Sequence, residues 1–142
     1  MKYTLITDGA YSSTRDQGGL AFVFLRDSRL ILEYSKGVFH TTNNKMELGA
    51  IILGLRAIKS PIGSLEIVTD SQYCIGCAIK GWKRNKNREL WKEFDREYTR
   101  VSSLCSNIIF THVKGHQAIT DEYSKWNDYV DRLAVNASKA LL

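Results

Sequence analysis

Four acidic residues are expected to stand where regular elements begin or end. They are Asp8 in Thr7-Asp8-Gly9-Ala10, Glu47 in Asn43-Asn44-Lys45-Met46-Glu47-Leu48, Asp70 in Thr69-Asp70-Ser71-Gln72-Tyr73, and Asp131 in Asn127-Asp128-Tyr129-Val130-Asp131-Arg132-Leu133-Ala134. Carboxylates brought together without a cation repel one another. A fold that gathers these four must therefore hold hard divalent metals, whose preferred ligands are oxygens. Each residue alone has a plainer role: Asp70 before Ser71-Gln72 could cap a helix, and Glu47, three or four residues after Asn43 and Asn44, could complete a capping box. Four such residues in four such contexts read as one site.

The elements that must position them follow from the patterning. Residues 3–7, 19–25 and 30–35 are β-rich and closely spaced, which predicts an antiparallel meander. A polar cluster at 41–44 opens a helix expected to reach 58, before Pro61 and Gly63. Residues 65–69 and 107–113 read as two further strands, and 72–80, 88–101 and 123–139 as helices. This α/β order predicts a five-stranded mixed sheet with helices on both faces, the first, fourth and fifth strands being parallel. Sites in such sheets form at the carboxyl ends of the parallel strands, where Asp8 and Asp70 are expected to close theirs. Glu47 has Ile51, Gly54, Leu55 and Ile58 at steps of three and four, and Asp131 lies beside Trp126, Val130, Leu133, Ala134 and Ala137. Both acids therefore ride near the buried stripe of their helices.

A chain of 142 residues is expected to be one domain, 1–142, large enough to bury a core without staples. With 20 basic and 15 acidic residues its net charge is +5, which suits a polyanionic partner. Cys74-x-x-Cys77 has the spacing of half a zinc site, but no second Cys/His pair completes it, so the thiols are expected to pack. Three cysteines give no disulfide framework. The first residues lack the apolar run of a signal peptide, and nothing approaches the roughly 20 apolar residues of a membrane span. A cytoplasmic location, with no membrane partner, is the expectation. A monomer is expected too, since no surface apolar stripe is evident.

These motifs, with Thr41-Thr42 before Asn43, Val113-Lys114-Gly115-His116, and Asn127 four residues before Asp131, resemble type 1 ribonuclease H. They occur in that family's order and at comparable spacings over nearly the whole chain. The resemblance implies the ribonuclease H-like fold and hydrolysis of the RNA strand of an RNA–DNA hybrid, leaving 5′-phosphate and 3′-hydroxyl ends; the alternatives are a non-catalytic hybrid-binding module of the same fold, or a related-fold nuclease acting on double-stranded RNA or DNA. It implies Asp8, Glu47, Asp70 and Asp131 as catalytic metal ligands, with His116 as an auxiliary catalytic group. Asp128 competes for the fourth place, but the family's spacing favours Asp131. The cofactor expected is a pair of Mg²⁺ ions bridged by Asp8, with Mn²⁺ as an alternative. Gly9, Asn43, Asn44 and Gln72 match positions that face the minor groove, where the 2′-hydroxyl is exposed. Thr42 matches a DNA phosphate contact. His40 and His112 are expected to be merely exposed.

Lys83, Arg84 and Lys86, flanked by Lys80 and Arg88, form a basic stretch near Trp82 and Trp91, expected to track phosphates. The chain departs from many bacterial relatives in two places. Only residues 81–88 stand where those relatives carry an extra basic helix. The loop after Asp8, Tyr11-Ser12-Ser13-Thr14-Arg15-Asp16-Gln17, lacks the usual glycine and proline.

Overall fold

The computed structural model describes residues 1–115 and 118–141. Their elements are β1 (Lys2–Ser12), β2 (Gln17–Arg26), β3 (Arg29–Phe39), α1 (Asn43–Arg56), β4 (Ser64–Thr69), α2 (Gln72–Ile79), α3 (Arg88–Ser102), β5 (Asn107–His112) and α4 (Glu122–Lys139). The five strands form one sheet in the order β3-β2-β1-β4-β5. β1 pairs antiparallel with β2 and parallel with β4, and β4 pairs parallel with β5. The mixed sheet is as the sequence pattern implied.

β2 is the most deeply buried strand, and its alternation divides the interior. Phe22 and Phe24 face one core with Leu5, Ile67, Leu55, Cys74 and Trp91, contributed by β1, β4, α1, α2 and α3. Ala21, Val23 and Leu25 face the other with Ile6, Val68, Val130 and Ala134, where α4 packs alone. Each fully buried Leu or Ile in these layers contributes about 1.5–3 kcal/mol. α4 seats close to the sheet because Gly19 lies beneath it: a Cβ at that position would stand 2.0 Å from the Ala134 carbonyl oxygen. That approach fixes the helix that carries Asp131.

β1 corrects one expectation. Asp8 does not close its strand, which runs on to Ser12. Parallel pairing with β4 stops at Ile6–Val68, whereas antiparallel pairing with β2 continues to Ser12–Gln17. One intact ladder is enough to keep the backbone extended, so Asp8 sits just past the point where β1 and β4 part. Asp70, directly after Thr69, does close β4, whereas Asp131 stands in the middle of α4 rather than at an element's end.

β3 corrects another. Leu30, Ile31, Leu32 and Tyr34 are 39–46% exposed along this edge strand, so the surface does carry an apolar stripe and the stated ground for a monomer fails. The pattern was hidden because β3 has one partner strand and little helix cover. A register shift between Phe24 and Leu25 leaves Ile31 as an extra residue on β3. Such bulges, with the charges of Arg29, Glu33 and Lys36, discourage edge-to-edge pairing. The β2–β3 turn is two residues, Asp27 and Ser28, both at positive φ (48° and 70°), as a tight hairpin requires.

Cys74 and Cys77 are free thiols on the buried face of α2, and no disulfide links the chain among the described residues. No helix among those residues is long and apolar enough to cross a membrane.

Candidate active site

Asp8, Glu47 and Asp70 each offer a carboxylate oxygen, and these oxygens lie within 4.8 Å of one another. They form the floor of an open cleft of about 460 Å³, which Asp131 also lines, together with Gly9, Asn43, Asn44, Ser71, Gln72, Tyr73 and Gly115. The structure thus brings all four predicted acids to one place. Asp128 points elsewhere, ion-paired with Arg132 at 2.9 Å one turn along α4.

The plainer roles for two acids fall away because other residues perform them. The N-cap of α1 is Thr42, whose hydroxyl accepts the Lys45 N–H at 3.2 Å. Glu47 is thereby free of capping, and its Oε1 accepts the Gly9 N–H across the cleft at 2.7 Å. The N-cap of α2 is Ser71, which accepts the Cys74 N–H at 3.1 Å, so Asp70 is left to face the cleft. Gly9 allows α1 to come this near: a Cβ there would lie 2.5 Å from the Glu47 nitrogen and 2.6 Å from the Met46 carbonyl carbon.

The electrostatics are adverse without a cation. Burial, then the Glu47 and Asp70 charges, drive the Asp8 carboxyl far above its ordinary range, and Asp131 adds to the effect. Burial likewise raises Glu47, to about 8, although the Asp8 carboxyl beside it and the Gly9 N–H pull the other way. Glu47 Oε2 is buried with no hydrogen-bond partner. Buried polar atoms are nearly always satisfied, so an orphan carboxylate oxygen beside two more carboxylates calls for a ligand. Among the described residues that line the cleft, none carries a basic side chain. An all-oxygen donor set, partly buried and open on one side, fits divalent cations of the Mg²⁺ or Mn²⁺ kind.

Around the floor, Asn43, Asn44 and Gln72 present exposed amides at the rim. Thr42 is exposed at the start of α1. Lys83 and Lys86 are exposed beyond α2 and do not line the cleft. Arg84 is held among protein groups: it donates to the Cys77 carbonyl at 3.0 Å, pairs with Asp95 at 2.7 Å, and lies 4.5 Å over the Trp91 ring. Trp91 is core, whereas Trp82 is half exposed. His40 is exposed and bonded to Asp16, and exposed His112 contacts the Asp70 carbonyl at 3.2 Å. His116 lies outside the described residues.

Sequence reasoning assigned no role to Tyr73. Its hydroxyl accepts from Asn87 Nδ2 at 3.0 Å and Trp91 Nε1 at 2.9 Å, tying the rim of the cleft to the start of α3. Its place next to Gln72 in the Thr69–Tyr73 motif was the available signal.

A twisted five-stranded mixed sheet with three helices on one face, one on the other, and carboxylates where the parallel strands part defines the ribonuclease H fold. Solved structures agree: ribonuclease H1 of the archaeon Halobacterium salinarum superposes with a TM-score of 0.75 at 21% identity, covering 98% of each chain. The N-terminal ribonuclease H domain of a Mycobacterium tuberculosis protein gives 0.75 at 22% identity, covering 98% of this chain and 94% of that one. The RNase H family profile matches residues 1–139. Ribonuclease H of Rhodopirellula baltica is 38% identical over 97% of this chain and 91% of its own. That of Legionella pneumophila is 39% identical over 94% of both. The chain belongs to the ribonuclease H family, and it is a nuclease.

Proposed function

We propose that this protein is an endoribonuclease that cuts the RNA strand of RNA–DNA hybrids by two-metal-ion hydrolysis, leaving 5′-phosphate and 3′-hydroxyl ends. The observation that carries the reading is the cluster of Asp8, Glu47 and Asp70, with an unpartnered buried oxygen, on the floor of a cleft rimmed by amides. Asp8, Glu47, Asp70 and Asp131 would hold the ions. Bound there, two divalent ions relieve charge at phosphorus, lower the pKa of the attacking water and stabilise the leaving oxygen.

The chain's own residues do the rest. The Gly9 N–H holds Glu47 Oε1, while Oε2 stays buried without a protein partner. Asn43, Asn44 and Gln72 carry amides that both donate and accept, as a 2′-hydroxyl demands, and that chemistry separates ribose from deoxyribose. Thr42 contacts a DNA phosphate through its exposed edge. Lys83 and Lys86 attract backbone phosphates without reading sequence. Arg84 has a structural role first, and its charge adds to theirs. His116, next after Gly115 in the chain, assists proton transfer or product departure. The protein acts as a single domain in the cytoplasm, and as a monomer because the bulge and charges of β3 guard its exposed edge.

Labelled RNA–DNA hybrid, double-stranded RNA and DNA, each incubated with Mg²⁺, Mn²⁺ or chelator, test the reading. Cleavage of the RNA strand of hybrid alone, abolished by chelator, is the expected result. Binding without cleavage, or preferred cleavage of another duplex, overturns it.

A further inference from the structure

We propose that a second cleft, floored by the continuation of β1 and walled by the last turns of α4, binds phosphates of the cleaved strand some nucleotides from the carboxylates. This cleft of about 470 Å³ is lined by Ala10, Tyr11, Ser12, Arg15, Gln17, Val135, Ser138 and Lys139. It exists because β1 runs past Asp8 to Ser12 rather than ending at the site. The proposal rests on the hybrid-nuclease reading and extends it to the segment after Asp8 that departs from its relatives.

The cleft and the acidic site share two rails. Even-numbered β1 residues face α4, as Ile6 and Ala10 show by packing in its core, so Asp8, Ala10 and Ser12 lie along one side. On α4, Asp131, Val135 and Lys139 follow at steps of four. From Asp8 to Ser12 is about 13 Å at roughly 3.3 Å per strand residue. From Asp131 to Lys139 is about 12 Å at roughly 1.5 Å per helical residue. The two lengths agree, so the rails run side by side from the acids to the basic cleft. Gln17 ties them together, its buried side chain donating to the Ser138 carbonyl at 2.7 Å. At ~3.4 Å of axial rise per nucleotide, 12 Å corresponds to about three to four nucleotides.

The chemistry of the lining suits a phosphodiester. Arg15 and Lys139 are exposed and make no ion pair among the described residues. No acid is among the described residues that line the cleft. Asp16, the acid of the adjoining turn, is occupied by His40 Nδ1 at 2.8 Å and the Tyr11 hydroxyl at 3.0 Å. Two free cations with a serine hydroxyl at hand make a phosphate site.

The test is steady-state cleavage of one hybrid over a range of salt by the wild type and by the Arg15→Gln/Lys139→Gln double variant. The expected result is a KM raised about tenfold with kcat held, and a salt dependence of log KM shallower by about two phosphate contacts. Arg15→Lys should stay near wild type. A single methylphosphonate in the RNA strand, about three to four nucleotides to one side of the cut, should raise KM for the wild type and not for the double variant. Unchanged KM and salt slope in the double variant overturn the proposal while leaving the hybrid reading intact. The same coupling from a methylphosphonate in the DNA strand overturns the assignment to the cut strand. A wild type inert on hybrid removes both readings.

Discussion

Glu47 meets β1 through a single bond, its Oε1 accepting the Gly9 N–H at 2.7 Å, while its other oxygen is buried without a partner. The backbone amide orients the carboxylate, and the missing second partner marks where a cation belongs. Glu47 is thus held and unsatisfied at once, an arrangement that destabilises the metal-free protein and favours its loaded form.

Gly9→Ala should disturb this contact directly. The added methyl would meet backbone atoms of Met46 and Glu47 at 2.5–2.6 Å, and backbone cannot swing aside as a flexible side chain can. A loss of about 1–3 kcal/mol is expected, the range for overpacking. Thermal denaturation reads it, together with reduced activity as α1 is pushed from β1. An unchanged melting temperature would show that the approach is looser than described.

Glu47→Gln and Asp8→Asn should separate activity from stability. Removing a buried like charge relieves repulsion, so the metal-free variants should melt at or above the wild-type temperature. Hydrolysis should fall by at least about 10²-fold, as when a transition-state stabilising group is lost. Near wild-type cleavage by either folded variant would sink the catalytic assignment.

The pH dependence has a definite sign. Glu47 rises from its ordinary 4.5 to about 8 on folding, and Asp8 rises further, so the folded chain binds protons that the unfolded chain releases. Their contribution is fully present below the ordinary carboxylate range and is lost as pH climbs through the raised values. Glu66 and Glu97 are shifted the other way by their hydrogen bonds and ion pairs, and their contribution fades below about pH 4.5. Metal-free protein should therefore be most stable near pH 5 and weaken toward pH 8. Millimolar Mg²⁺ or Mn²⁺ should restore the loss by binding the folded state. Melting curves across pH with chelator and with metal check this, and a metal-free curve that rises toward pH 8 would contradict it.

The basic stretch should divide into two kinds of residue. Lys83→Gln and Lys86→Gln should each reduce the salt dependence of hybrid binding, by about one phosphate contact, with melting unchanged. Arg84→Ala should lower the melting temperature, because it removes the Asp95 pair, the bond to the Cys77 carbonyl and the stacking on Trp91. A melting temperature unmoved by Arg84→Ala would mean those contacts are idle in solution.

Strand and helix order, the sheet's mixed character and the four acids were legible in the sequence, because periodicity and punctuation are local and each acid sits in a short motif. Spacing alone could not say which polar residues cap the helices. Thr42 and Ser71 took those places, and only the folded chain shows that Glu47 and Asp70 were thereby released to the cleft. Nor could it show that β1 outruns its parallel partner, since strand length depends on which neighbours remain paired. The exposure of β3 and the capture of Arg84 are likewise facts of tertiary contact. Residue identity determined what chemistry the chain could perform. Packing across a distance of 38 residues, from Gly9 to Glu47, decided where that chemistry was assembled, because burial and charge repulsion act only once distant segments share the same few ångströms.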